Sequence, residues 1–211
     1  MKIAKFFAGV FGAIGAVLLV GSIGLCLLFR SGSARVAELP VEAAQCSETL
    51  SGSIGEKNFA AVEDCFYGNP DLGMAGTPAD PMAAAVWKEF ENKLSFSYQG
   101  ECYSKDAGIY RDATVTYLEI ASVTENLQTR AHTMLTQKVE AATDMAQLYG
   151  ENGEFREDLV TQVLYEALDQ AMREDARVVT AAVTVELVHR DGQWWVVPDA
   201  ALLTALSGGL A

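Results

Sequence analysis

The chain has 211 residues, half of them hydrophobic, and a formal net charge of −13. Four of its 15 Lys/Arg precede Glu38 and no acid does, so the rest sets 11 bases against 28 acids, a net of −17. A main domain this acidic excludes nucleic acid and anionic headgroups as its ligands, because both require basic patches.

In chain order, the first feature is the uncharged run 6–29, "FFAGVFGAIGAVLLVGSIGLCLLF". As a helix its 24 residues extend ~36 Å, enough to cross a ~30 Å hydrocarbon core with some tilt. A secretory signal carries a shorter apolar stretch, so residues 1–30 read as a retained transmembrane signal-anchor. Apolar residues continue beyond Cys26, which marks it as a small lipid-facing residue and not a lipidation site. Residues 31–40 are a polar tether, and 41–211 form the domain. Lys2 and Lys5 on one side are matched by Arg30 and Arg35 on the other, so charge alone does not orient the span. The acidic domain behind it favours an inside N-terminus and an extracytoplasmic C-terminal domain on a single-pass protein of the cell membrane. No Asn-X-Ser/Thr sequon is present, and the composition reads as bacterial.

From Val41, "VEAAQCSETL" has helical spacing that "SGSIG" is expected to break, and "EKNFAAVEDCFYG" resumes a helix up to Gly68-Asn69-Pro70. Close packing of these two arms makes Cys46–Cys65 the candidate disulfide of an oxidising exterior; the alternative is three reduced thiols at Cys46, Cys65 and Cys102. After the Gly/Pro-rich loop 69–81 comes a helix, "PMAAAVWKEFENKL", started by Asp80 or Pro81, with Trp87 and Phe90 on its apolar side. Two alternating runs follow, one with Phe96, Tyr98 and Cys102, the other with Val115 and Tyr117, joined by "SKDAG". The spacing then predicts a long helix over 124–150, capped by Thr124, with a stripe from Leu127 to Leu148. A second helix after "ENG" carries Phe155, Leu159, Val163, Ala167 and Ala171. The run from Ala176 alternates at period two, and Asp191-Gly192 marks a hairpin. Asp199 caps a last short helix with Leu202, Leu203 and Leu206. Four antiparallel strands with helices on one face make an α+β domain.

This element order, with "EKNFAAVEDCF" and the closing "RDGQWWVV", resembles the nuclear transport factor 2-like (cystatin-like) superfamily, above all its membrane-attached bacterial surface members. The resemblance covers most of 38–206 and implies a strongly curved sheet wrapped around helices, leaving a cone-shaped cavity. The helical pair 124–174 is longer than in the simplest members. Isomerases and polyketide cyclases share that fold with pure binding and assembly domains, so it does not choose a function.

The chemistry of the chain is sparse. Isomerase-type members place an aspartate base and a tyrosine or protonated aspartate donor in the cavity. Tyr98, Tyr103, Tyr110, Tyr117, Asp64, Asp106 and Asp112 are available, but no motif assigns any of them a catalytic role. His132 and His189 accompany no nucleophile elbow, no cysteine spacing suggests a metal, and "GENGEFRED" lacks calcium-loop spacing. No catalytic, cofactor or metal residue is expected. The expected function is a non-catalytic binding or assembly module, with a protein partner or a homodimer formed through the sheet. The alternatives are a small cavity enzyme and a subunit of a secretion or conjugation apparatus. Alternation sends Trp194 and Trp195 to opposite strand faces. They therefore form no joint stacking platform, and the one pointing away from the core is the candidate interface aromatic.

Overall fold

The structure is a computed structural model, which describes residues 35–36, 38–73, 76–105, 108–150 and 152–210. The apolar run 6–29 lies outside the described residues, and none of the described helices is long and apolar enough to cross a membrane.

The elements run β1 (Arg35–Val36), α1 (Val41–Gly55), α2 (Phe59–Glu63), α3 (Pro81–Lys93), β2 (Ser95–Lys105), β3 (Gly108–Glu119), α4 (Ile120–Thr124) and α5 (Leu127–Ala141). A 3₁₀ turn (Met145–Gln147), α6 (Glu157–Glu174), β4 (Arg177–Arg190), β5 (Gln193–Val196) and α7 (Ala200–Leu206) complete the chain. All strand pairs are antiparallel and lie in sequence order, so the sheet is a meander of four main strands plus the two-residue β1. β1 comes from the segment read as a free tether; it pairs with Tyr103 and Ser104 at the edge of β2.

Register sorts the side chains by face. Phe96 and Tyr98 of β2 pair with Val115 and Ala113 of β3, which pair with Ala181 and Val183 of β4. Leu187 links Ile109 to Val196 in the same phase. The helices cover this inner face; Phe66, Phe90, Leu50, Ile54, Leu202 and Leu206 are fully buried beside it. The middle of the outer face is polar, with Ser95, Thr116 and Thr180 in one row and Ser97, Thr114 and Ala182 in the next. Leu118 and Val178 share its phase at one end, and Val188 and Trp195 at the other.

Three expectations change. Helix α1 continues through "SGSIG" because Ser53 and Ile54 are buried, and that burial outweighs the ~1 kcal/mol helix cost of each glycine. The break comes later, at Lys57 with φ +59, and Asn58 then caps α2 by accepting from the Ala61 amide. The single helix 124–150 is instead three pieces. Thr124 ends α4, bonding back to Ile120 and Ala121 carbonyls, and α5 stops at Ala141, before Asp144 caps the 3₁₀ turn. Nothing on α5 is fully buried, so its apolar stripe was too thin to carry six turns. Phe155 precedes α6 and stacks on Tyr149 at 4.8 Å. Helices α5 and α6 pack together, and α6 rests on α3 and α4. The Arg130 guanidinium joins the two ends by bonding both Asp175 oxygens (2.8 and 2.6 Å) and Glu174 (2.9 Å).

Candidate functional site

The β4–β5 hairpin carries two adjacent, half-buried tryptophans. Asp191 (φ +53) and Gly192 (φ +80) both have positive φ, the requirement of the tight hairpin turn that matches strand twist. The two tryptophans that follow diverge. Trp194 pairs with His189 and packs against the core, its ring 5.4 Å from the imidazole. Trp195 pairs with Val188 on the other face, donates its indole N–H to the Arg190 carbonyl at 3.3 Å, and meets Tyr67 edge-on at 6.4 Å.

The free edge of β5 is covered by the chain just after α2. Phe66 bridges Val196 in parallel, the Val196 amide donates to the Cys65 carbonyl (3.0 Å), and the Tyr67 amide donates to Val196 (2.9 Å). That short clamp blunts an edge that would otherwise offer unpaired backbone. It also positions Tyr67, which is 46% exposed, beside Trp195.

Trp194, His189, Gly192 and Gln193, with Glu42 from the start of α1, line an open hollow of about 520 Å³. A smaller hollow of about 240 Å³ lies along Leu187, Val188, His189, Arg190 and Trp194. An indole and a carboxylate lining one hollow suit a cation, which gains from the ring quadrupole and the charge together. Sequence reasoning favoured the tryptophan that faces away from the core, which is Trp195, whereas the hollow is lined by the core-packed Trp194. It missed Glu42 and Tyr67, because only the fold brings residues 42, 67 and 194 to one end.

Cys46, Cys65 and Cys102 are free thiols, so the Cys46–Cys65 bridge is not formed in this structure. Burial raises all three thiol pKa values; Cys65 reaches about 11, with the neighbouring Cys46 and Asp64 adding to the effect. Cys65 Sγ donates to the Ala61 carbonyl at 3.2 Å. Such thiols are inert packing groups while they stay protonated.

The residues considered for acid–base work are split between the two faces of the sheet, Tyr98 on the inner face and Asp112 with Tyr103 and Tyr110 on the outer. Tyr98 lies on the inner face, its hydroxyl donating to the Ser47 carbonyl at 3.0 Å, and burial pushes its pKa up to about 12. Asp112 lies in the opposite phase, where it accepts from the Tyr103 hydroxyl (3.2 Å) and the Thr184 hydroxyl (2.9 Å). Tyr110 donates to Glu186 at 3.3 Å on that same outer face. Tyr117 is buried, Asp64 is exposed, and Asp106 lies outside the described residues. Among the described residues no group of His, Cys, Asp and Glu is arranged to hold a metal ion. Compared with known proteins, the chain matches no family model, no curated protein and no solved structure.

Proposed function

We propose that the protein is a non-catalytic binding or assembly module of the nuclear transport factor 2-like kind, anchored in a bacterial cell membrane by residues 6–29. Its domain faces the cell exterior and docks a basic segment of a protein partner at the hairpin end. The observation that carries this reading is the hollow that Trp194, tilted against His189, lines together with Glu42. The acidic balance of the domain supports a cationic partner, since the summed field raises the local concentration of positive segments. A non-catalytic role is supported by the division of Tyr98 and Asp112 between the two faces of the sheet. The uncharged run of 24 residues supports anchoring.

Tryptophan fluorescence of the full chain in detergent, titrated with oligolysine and oligoglutamate at fixed ionic strength, tests the docking reading. Saturable change is expected with oligolysine alone. Trp194→Ala is expected to weaken it about fivefold, or ~1 kcal/mol, the worth of a cation over an indole. An equal response from Trp194→Ala, or from oligoglutamate, sinks the reading. A C-terminal reporter active only outside the cytoplasm tests the anchoring, and an inactive reporter overturns it.

A further inference from the structure

The chain enters the domain at the same end that carries the hairpin hollow. β1 pairs Arg35 with Ser104 and Val36 with Tyr103, antiparallel, so the residues before Arg35 leave the sheet beside Lys105, the last residue of β2. Lys105 pairs with Gly108, Ile109 with Leu187 and Arg190 with Gln193, which sets the β4–β5 hairpin at that end as well. Helix α1 starts there too, since Glu42 lines the hollow with Gly192 and Gln193. Ser95, Glu119 and Arg177 mark the opposite end, and the 14 residues of β4 put roughly 40 Å between the two.

The reach from domain to membrane is short. Only residues 30–34 stand between the uncharged run 6–29 and β1, and so few residues extend at most about 20 Å. Without β1 the leash would run on to Pro40 and extend to about 40 Å. An anchored domain therefore stands with its hairpin end next to the bilayer and with Val178, which is 51% exposed, at the far end. Its acidic balance opposes tipping onto anionic headgroups. The space between hairpin and bilayer admits an extended segment but not a folded domain, whose radius of gyration is about 13 Å even at 100 residues.

We propose that the hollow lies next to the membrane surface and takes the Lys/Arg-rich stretch that directly follows a membrane span of a partner protein. Glu42 and the Trp194 indole select the cation, and the short leash selects its position. A segment fixed in the same bilayer is presented at high effective concentration, so a modest site suffices. This partner rests on the anchoring and the hairpin docking proposed above.

Energy transfer in zwitterionic nanodiscs holding the full chain tests the placement. A fluorescent amino acid is set at Lys105 or at Val178, both exposed, with an acceptor on the lipid headgroups. Transfer is expected to be at least about threefold stronger from Lys105, the nearer position by roughly 30 Å. Equal transfer, or stronger transfer from Val178, overturns the proposal. The occupant is tested in the same discs by tryptophan fluorescence, with oligolysine either free or displayed from a lipid on a short spacer. Display is expected to tighten apparent binding at least about tenfold, and Trp194→Ala to weaken both forms alike. No gain on display overturns the proposal, as does displayed binding that Trp194→Ala leaves unchanged. A chain that does not co-purify with the discs fails on anchoring, and one that binds no free oligolysine fails on docking; either takes the proposal down with it. A chain that passes both and shows equal transfer sinks the placement alone.

Discussion

Phe66→Ala probes the link between the core and the hairpin end. Phe66 is completely buried, and its backbone is the centre of the bridge that covers β5. Truncating a buried phenylalanine costs about 3–5 kcal/mol, the lost transfer energy plus the cavity left behind. At roughly 2–4 °C per kcal/mol for a domain of this size, the Tm should fall by roughly 6–20 °C. The damage should also be local, because the bonds from Cys65 and Tyr67 to Val196 hold only while Phe66 seats the segment. Chemical denaturation measures the first effect, and a red shift of tryptophan emission reports loss of the Tyr67–Trp195 contact. Phe66→Leu, which keeps most of the volume, should cost under ~1.5 kcal/mol and leave emission unchanged. A loss below ~1 kcal/mol for Phe66→Ala would refute the core assignment. A full stability loss with unchanged emission would refute the clamp.

Further outcomes follow from single sites. Asp199 accepts from the amides of Ala201 and Leu202, so Asp199→Ala should cost about 0.5–2 kcal/mol in denaturant midpoints, and an unchanged midpoint would mean that α7 needs no cap. Gly192→Ala forces a side chain to φ +80 and should cost about 1 kcal/mol or more, whereas Asp191→Asn, which tolerates φ +53, should be near neutral; similar losses in both would discount the turn conformation. Burial pushes the Cys65 thiol pKa up to about 11 in the fold, above its ordinary 9.0. Because the unfolded thiol loses its proton first, stability is full below pH 9 and falls between 9 and 11, by an amount on the order of 2 kcal/mol. Cys65→Ala should flatten that decline in Tm measured from pH 8 to 10.5, and an identical slope would assign the alkaline loss elsewhere.

The strand half of the fold was the legible half. Alternation in 95–105, 108–119 and 177–190 is enforced by one covered and one wet face, and Asp191-Gly192 has a conformational demand visible in two letters. Helix limits were less legible because burial, which sequence shows poorly, decides them: Ser53 and Ile54 carry α1 past two glycines, while a half-exposed stripe fails to carry α5 past Ala141. The β1 pairing was hidden because two residues have no period. At the site, the divergence of Trp194 and Trp195 follows from strand geometry alone. Glu42 and Tyr67 carried no signal, since they reach the hairpin only through α1 and the bridge at Val196.

The two faces of the sheet argue about where a partner would sit. A stable dimer through the outer face would need an apolar centre, yet that face presents Ser95, Ser97, Thr114, Thr116 and Thr180, with Thr116 and Thr180 hydroxyls bonded to each other at 3.1 Å. Two of its aromatic members, Tyr103 and Tyr110, stack on each other at 5.7 Å and bond to Asp112 and Glu186, and Trp195 lies at its hairpin end. A hydroxyl-rich surface with its polar groups paired internally stays wet at little cost, so dimerisation through the sheet gains little from burying it. The hairpin end differs in kind. There an indole, an imidazole and a carboxylate line one hollow, and a phenol covers the second indole on the far side. Aromatic groups lose little side-chain entropy on binding and concentrate interface energy in few residues, which supports the proposal that docking uses the hairpin end and not the sheet face.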